Sequence, residues 1–338
     1  MKHFTRALTL ASTLTLASTL TLASTLTLAG PAQGQELLRW GFQAGDTWQY
    51  RLTQNTSTSS EPLRDPDSGQ IAGPSISQSQ IQTTTLEVAV QQVAANGNAT
   101  VAWTYTRLQV SMEGLPGMSF DWDSDRPDPS VEATPLGVMI RSLKAMVGQT
   151  LTVVMTPLGE ILELRGGDAM LAAMLEGLDP ETARAMEGQL GGMFEGMGSD
   201  FMGALGTFPE GPVGLGDSWT SHSETPNPVL GNMTSDTQNT ISGFGNQSGE
   251  RVVMILHEGT IELDSSGGGL AGLPVTMRVE DSSMSGSTTF SLDRGLILSS
   301  TSTTTQVMSM SMPGMRMQMR TEGTMLMELV GPVTQPRD

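Results

Sequence analysis

Apolar residues recur at every second position along most of the chain, and turn residues break that alternation at short intervals. Trp48, Tyr50 and Leu52 follow the Ala44-Gly45-Asp46 turn, with Trp40 and Phe42 before it, which predicts strand, turn and strand. Residues 55–78 turn to Ser, Thr, Pro, Asp and Gln and read as a solvent-facing loop. Leu86, Val88 and Val90 then lead into Ala95-Asn96-Gly97-Asn98, with Val101, Trp103 and Tyr105 beyond. Asn-Gly between such runs predicts a tight hairpin, because both residues tolerate positive φ. Strands at 150–156 and 160–165 flank Pro157-Leu158-Gly159. The β pattern returns at Trp219, Thr237–Ile241 and Arg251–Leu263. Thr288, Phe290 and Leu292 lead into Asp293-Arg294-Gly295 and a return strand from Leu296 to Thr305. A final pair, Val307–Met312 and Met315–Leu329, is divided by Pro313-Gly314, while Gly267 to Gly269 mark a loop.

Helical spacing interrupts this pattern in the middle. Leu136, Met139, Ile140, Leu143, Met146 and Val147 form one stripe over 135–147, with Thr134 as cap, Pro135 in the first turn and Gly148 as stop. A second helix is expected at 169–176 with Asp168 as its cap, and Asp179-Pro180 suits a third start. Met186, Leu190, Met193, Phe194, Met197 and Phe201 repeat at helical spacing, but glycines interrupt them. Each interior Gly costs roughly 0.5–1 kcal/mol relative to Ala, so a short helix passing into an apolar loop is expected.

Gly45-Asp46-Thr47-Trp48 recurs as Gly216-Asp217-Ser218-Trp219, and each copy precedes a strand pair and a further hairpin. The predicted fold is mainly β with inserted helices (α+β): an extended antiparallel sheet, curved as a half-barrel, built from two degenerate repeats and covered on one face by amphipathic helices. The expected parts are a leader at 1–34, a first β-rich half at 35–206, a second at 207–330 and a tail at 331–338. The halves are either tandem domains or one compact unit, and the amphipathic helices favour one unit. In the repeats, Gly45 and Gly216 permit the bend, Asp46 and Asp217 accept backbone hydrogen bonds, and Trp48 and Trp219 anchor the strands that follow.

Lys2 and Arg6 precede an uncharged, Ser/Thr-rich tract from Ala7 to Gly30, and Ala32-Gln33-Gly34 offers small residues for cleavage. This is the pattern of a secretory signal peptide cleaved after Gly34, giving an exported protein of the periplasm or the exterior. No later stretch suits a membrane-spanning helix. The leader carries two of seventeen basic residues and none of the 35 acidic ones, leaving a mature formal charge of −20. Such a charge repels phosphate backbones, so no nucleic-acid partner is expected. The chain has no cysteine, which removes disulfides, thiolate nucleophiles and zinc-thiolate sites together.

Several of these segments, taken in order, resemble a known family. They are Leu38-Arg39-Trp40, Ala44-Gly45-Asp46-Thr47-Trp48-Gln49-Tyr50-Arg51, Phe120-Asp121, Asp123-Ser124-Asp125, Pro135-Leu136 and the Gly148–Leu164 hairpin. Gly216-Asp217-Ser218-Trp219, Asp293-Arg294-Gly295-Leu296 and the Thr/Met-rich C-terminal strands continue the series. In this the chain is similar to the DUF6263 family of uncharacterised bacterial exported proteins. The resemblance implies an exported β-rich architecture and contributes no catalytic residue.

Candidate chemistry is sparse. Asp121, Asp123, Asp125 and Glu132 occupy positions one, three, five and twelve of a calcium-loop spacing. Arg126 stands where that loop needs Gly, and Pro127 and Pro129 restrict it, so Asp-based turns are the simpler reading and no metal is expected. His222 and His257, the histidines beyond the leader, would have to meet carboxylates to hold zinc, and histidines so far apart on β segments read instead as ordinary surface or packing residues. Met308, Met310 and Met312 share one strand face and Met315, Met317 and Met319 another. Thioethers suit Cu(I), yet three on one strand stand too far apart for one ion, so ligands must converge across strands. Packing is the simpler reading for these as well. No nucleophile elbow, zinc-protease pair or phosphate loop is present, and no cofactor is expected.

The expected function is therefore non-catalytic binding of a lipid or other apolar ligand under the curved sheet. Met186, Leu190, Met193, Phe194, Met197 and Phe201 would supply a yielding lid. The alternative is a structural or protein-interaction module of the cell envelope with a filled core.

Overall fold

The computed structural model describes residues 34–64, 75–115, 118–127, 135–176, 207–227, 231–264, 276–312 and 315–332. The first strands are β1 (Thr47–Leu63), β2 (Ile76–Val93), β3 (Ala99–Leu115) and β4 (Met118–Asp123). Helix α1 (Pro135–Met146), β5 (Thr150–Met155), β6 (Ile161–Arg165) and α2 (Gly167–Leu175) follow. The second half is a meander of β7 (Ser218–Asn227), β8 (Gly231–Gln247), β9 (Glu250–Asp264), β10 (Thr276–Ser291), β11 (Leu296–Met312) and β12 (Met315–Pro332).

All these strands join one antiparallel sheet in the order β6-β5-β3-β2-β1-β12-β11-β10-β9-β8-β7, with β4 pairing the outer end of β3. The first and last strands thus pair at the centre, and among the described strands β6 and β7 are the two edges; the sheet is not closed into a barrel.

The sheet curls around an apolar plug. Trp40 N–H donates to Pro157 O in the β5–β6 turn, and Gly41 N–H donates to Gly295 O in the β10–β11 turn. The strands bearing these turns stand at least five positions apart. In a flat sheet they would be about 24 Å apart, yet adjacent residues reach both. Glu36 pairs with Val213, and Phe208 N–H donates to Leu158 O, so the segments preceding β1 and β7 meet inside the curl. Trp40 stacks on Phe42 and meets Phe208 and Phe290, the latter edge-on at 6.0 Å. Leu38, Val101, Val153, Ile255 and Ile297 close the same core.

Both helices pack on this inner face in the first half. Ile140 of α1 is buried with Leu108, Val110, Phe120 and Trp122, and Met170 and Met174 of α2 with Leu151. The second helix begins at Gly167 with Gly166 as its cap, so Asp168 lies in the first turn instead of capping it.

Three other expectations are corrected. Much of the presumed loop at 55–78 is strand: Asn55 to Leu63 pair with β12, and β2 already begins at Ile76. Thr favours strands, Ser is tolerated where neighbouring strands satisfy the backbone on both sides, and the polarity of both hid this. Residues 40–42 form no strand but belong to the plug. Leu296 to Met312 is one continuous strand, not two.

Candidate functional site

Above the plug, the inner face of the second half turns polar. β7 to β11 and β1 wall a cavity of about 360 Å³, with Ser223, Thr237, Ser302, Thr304 and Gln54 among its polar lining and Met233, Ile261 and Met284 as its apolar one. Strand β1 stands six positions from β7 in the sheet. About 29 Å would separate them in a flat sheet, so the curl alone brings Gln54 and Ser223 to one cavity. Among the described residues, no lining side chain is an acid, lysine or arginine.

The cavity rests on a chain of side-chain hydrogen bonds that crosses five strands. Ser221 Oγ on β7 accepts from Asn239 Nδ2 at 2.9 Å. Asn239 Oδ1 on β8 lies 2.6 Å from His257 Nδ1 on β9. His257 Nε2 lies 2.8 Å from Thr288 Oγ1 on β10, and Thr288 Oγ1 lies 2.8 Å from Ser300 Oγ on β11. With the amide nitrogen of Asn239 spent on Ser221, its oxygen accepts from His257 Nδ1–H, leaving Nε2 to accept the Thr288 hydroxyl. Thr288 then accepts from Ser300, so every bond in the chain donates in one direction.

Burial lowers the His257 pKa from 6.5 to about 4, so the ring is neutral near pH 7. Thr288, His257 and Asn239 superficially suggest a hydroxyl-imidazole triad. Thr288 is only 3% exposed, and its oxygen is already engaged by Ser300. An amide in place of a carboxylate gives the imidazolium no charge partner. The arrangement is built to hold a neutral imidazole and to present uncharged donors and acceptors.

The structure places the residues expected from sequence as follows. Gly45 and Gly216 take φ of 92° and 84°. The two turns make matching bonds: Gly45 N–H to Val90 O and Gly216 N–H to Ile241 O, with Val90 N–H to Asp46 O and Ile241 N–H to Asp217 O in return. Asp217 additionally accepts from Gly214 N–H through its carboxylate. Trp48 is buried, whereas Trp219 is half-buried and donates from Nε1 to Thr207 O at 2.7 Å. The carboxylate of Asp123 is buried and accepts from Arg107 at 2.7 and 3.1 Å and from Gln109 at 3.0 Å. Arg107 also pairs with Asp125, and Arg126 with Asp121. Cationic side chains thus face the three aspartates, and the Arg107 hydrogen bonds hold Asp123 well below the usual carboxylate range. Glu132 lies outside the described residues, as do Met186, Leu190, Met193, Phe194, Met197 and Phe201. His222 pairs with Asp236 on the exposed side of β7 and β8.

Sequence reasoning missed Ser221, Asn239, Thr288 and Ser300 as a group. Their one signal was placement: each lies in phase with an apolar inner-face residue of its own strand, as Thr288 does with Phe290.

The model of DUF6263, described as a family of unknown function, matches residues 96–297, more than half of the chain. No curated protein matches. A lipovitellin structure titled for lipid–protein interactions is similar at 12% identity and a TM-score of 0.40, over 88% of this chain and 26% of that one. The chain thus spans about a quarter of that protein's length. A structure titled for asymmetric conductivity of engineered proteins is similar at 7% identity and a TM-score of 0.19, over 83% of this chain and all of that one.

Proposed function

We propose that this chain, which belongs to the DUF6263 family, is an exported, non-catalytic binding protein that holds a neutral, partly apolar ligand inside its curled sheet. The observation that carries this reading is the cavity of about 360 Å³ walled by six strands. Its volume lies within the range of small-molecule sites, roughly 300–1,000 Å³. Hydroxyls and amides line it beside thioether and isoleucine side chains, and the described lining carries no carboxylate, ammonium or guanidinium group that would favour an ion. That lining suits a lipid-like molecule with an uncharged polar end, such as one bearing hydroxyls or an ester. The hydroxyl and amide groups would orient the polar end, and Met233, Met284 and Ile261 would accept the apolar part. Export rests on the leader pattern, and the two matching Gly-Asp turns support descent from a duplicated half.

The filled plug favours a second reading, a purely structural envelope module, because twenty buried residues among those described already close one end of the curl. Organic extraction of gently purified mature protein separates the two. Recovery of one neutral amphiphile in stoichiometric amount is expected; a chain that yields none, and binds none on exposure to neutral lipids, is a structural module instead.

A further inference from the structure

The methionines of the C-terminal strands meet across strands in a way that the sequence leaves open. Register sets Met277 of β10 opposite Met310 of β11, and Met310 opposite Met317 of β12, so three thioethers form one row across three neighbouring strands. Met308 and Met319 face each other in the adjacent row. Directly paired residues project to the same face of a sheet, with Cα atoms about 5 Å apart. The flexible three-bond Met side chain spans the distance from the outer strands to a point above the central one.

Packing does not account for this patch. Met277, Met310, Met317 and Met319 are only half-buried, and none of the five belongs to the hydrophobic clusters of the described residues. Their strand neighbours on the opposite face include Ser309, Arg316 and Arg320. The inner-face positions themselves carry no charged side chain here.

We infer that Met277, Met310 and Met317 form a three-thioether site for a soft monovalent cation, Cu(I) or Ag(I). Neutral sulfur donors favour such ions over hard divalent ones, because thioethers offer polarisable electron pairs and no negative charge. The ion binds without changing oxidation state. Met308 and Met319 flank it on the side of the core and shield it from water.

Titration of the full chain with Ag(I), and anaerobically with Cu(I), against a chromogenic chelator tests this. Withdrawal of one equivalent is expected, with affinity lowered at least tenfold in Met310→Leu/Met317→Leu, whose substitutions conserve volume. Unchanged affinity in a variant with a native circular-dichroism spectrum, or no withdrawal by the native chain, overturns the assignment. Should that variant misfold, ¹³C-methyl spectra of the native protein decide. Ag(I)-induced shifts at Met277, Met310 and Met317 support the site, and their absence overturns it.

Discussion

His257 Nε2 on β9 lies 2.8 Å from the hydroxyl of Thr288 on β10, at the centre of a hydrogen-bonded chain beneath the cavity. The neutral ring is part of the fold, since its pKa is lowered from 6.5 to about 4 by burial. An unfolded chain therefore takes up a proton first as pH falls. Stability is fully present above pH 6.5 and is lost progressively toward pH 4. The loss is about 3 kcal/mol at most. Urea unfolding at pH 7, 5.5 and 4 should show this decline in the native protein and a smaller one in His257→Gln. Equal slopes for the two would remove the buried neutral imidazole.

Asp123 works in the opposite sense. Its folded pKa is depressed, so its contribution is present above the ordinary carboxylate range and lost as pH falls through the folded value. Asp123→Asn should cost about 1.5–3 kcal/mol at pH 7, because an amide at this buried position gives up the charge-assisted hydrogen bonds from Arg107 and Gln109. Below pH 4 the gap between variant and native chain should narrow.

Gly41 and Gly295 meet backbone to backbone in the plug, with Gly41 N–H donating to Gly295 O at 3.0 Å. A Cβ on Gly295, which has φ of 65°, would meet Gly41 N at 2.1 Å. Gly216, at φ of 84°, has open space where a Cβ would go. Gly216→Ala should therefore cost only the conformational penalty, about 1 kcal/mol. Gly295→Ala adds a backbone clash and should cost about 3 kcal/mol or more, read as a larger shift in urea midpoint.

These contrasts also show where the sequence was informative. Hairpins were legible because their turn residues have one physical use: Asn96-Gly97 and Asp293-Arg294-Gly295 both sit at strand reversals in the structure. The two described helices were legible from their apolar stripes. Residues 55–60 were not, because a run of Ser and Thr looks alike in a loop and in a strand hydrogen-bonded on both sides. Trp40 and Phe42 alternate like strand residues, yet the curl of the sheet recruits them as plug. The polar chain through His257 was hidden for a related reason. Strand periodicity assigns a face, but only the register between β7 and β11 shows that five polar residues on that face touch in sequence across the sheet.

The cavity itself supplies the decisive measurement: native mass spectrometry of the mature chain and of Ser302→Trp, whose larger side chain would take up space in the cavity that Ser302 lines together with Gln54 of β1 and Met284 of β10. The native chain should carry a reproducible adduct of one neutral amphiphile, and the variant should fold but lose it. An adduct retained equally by both proteins, or absent from the native chain after incubation with neutral lipids, would contradict a ligand held inside the curled sheet.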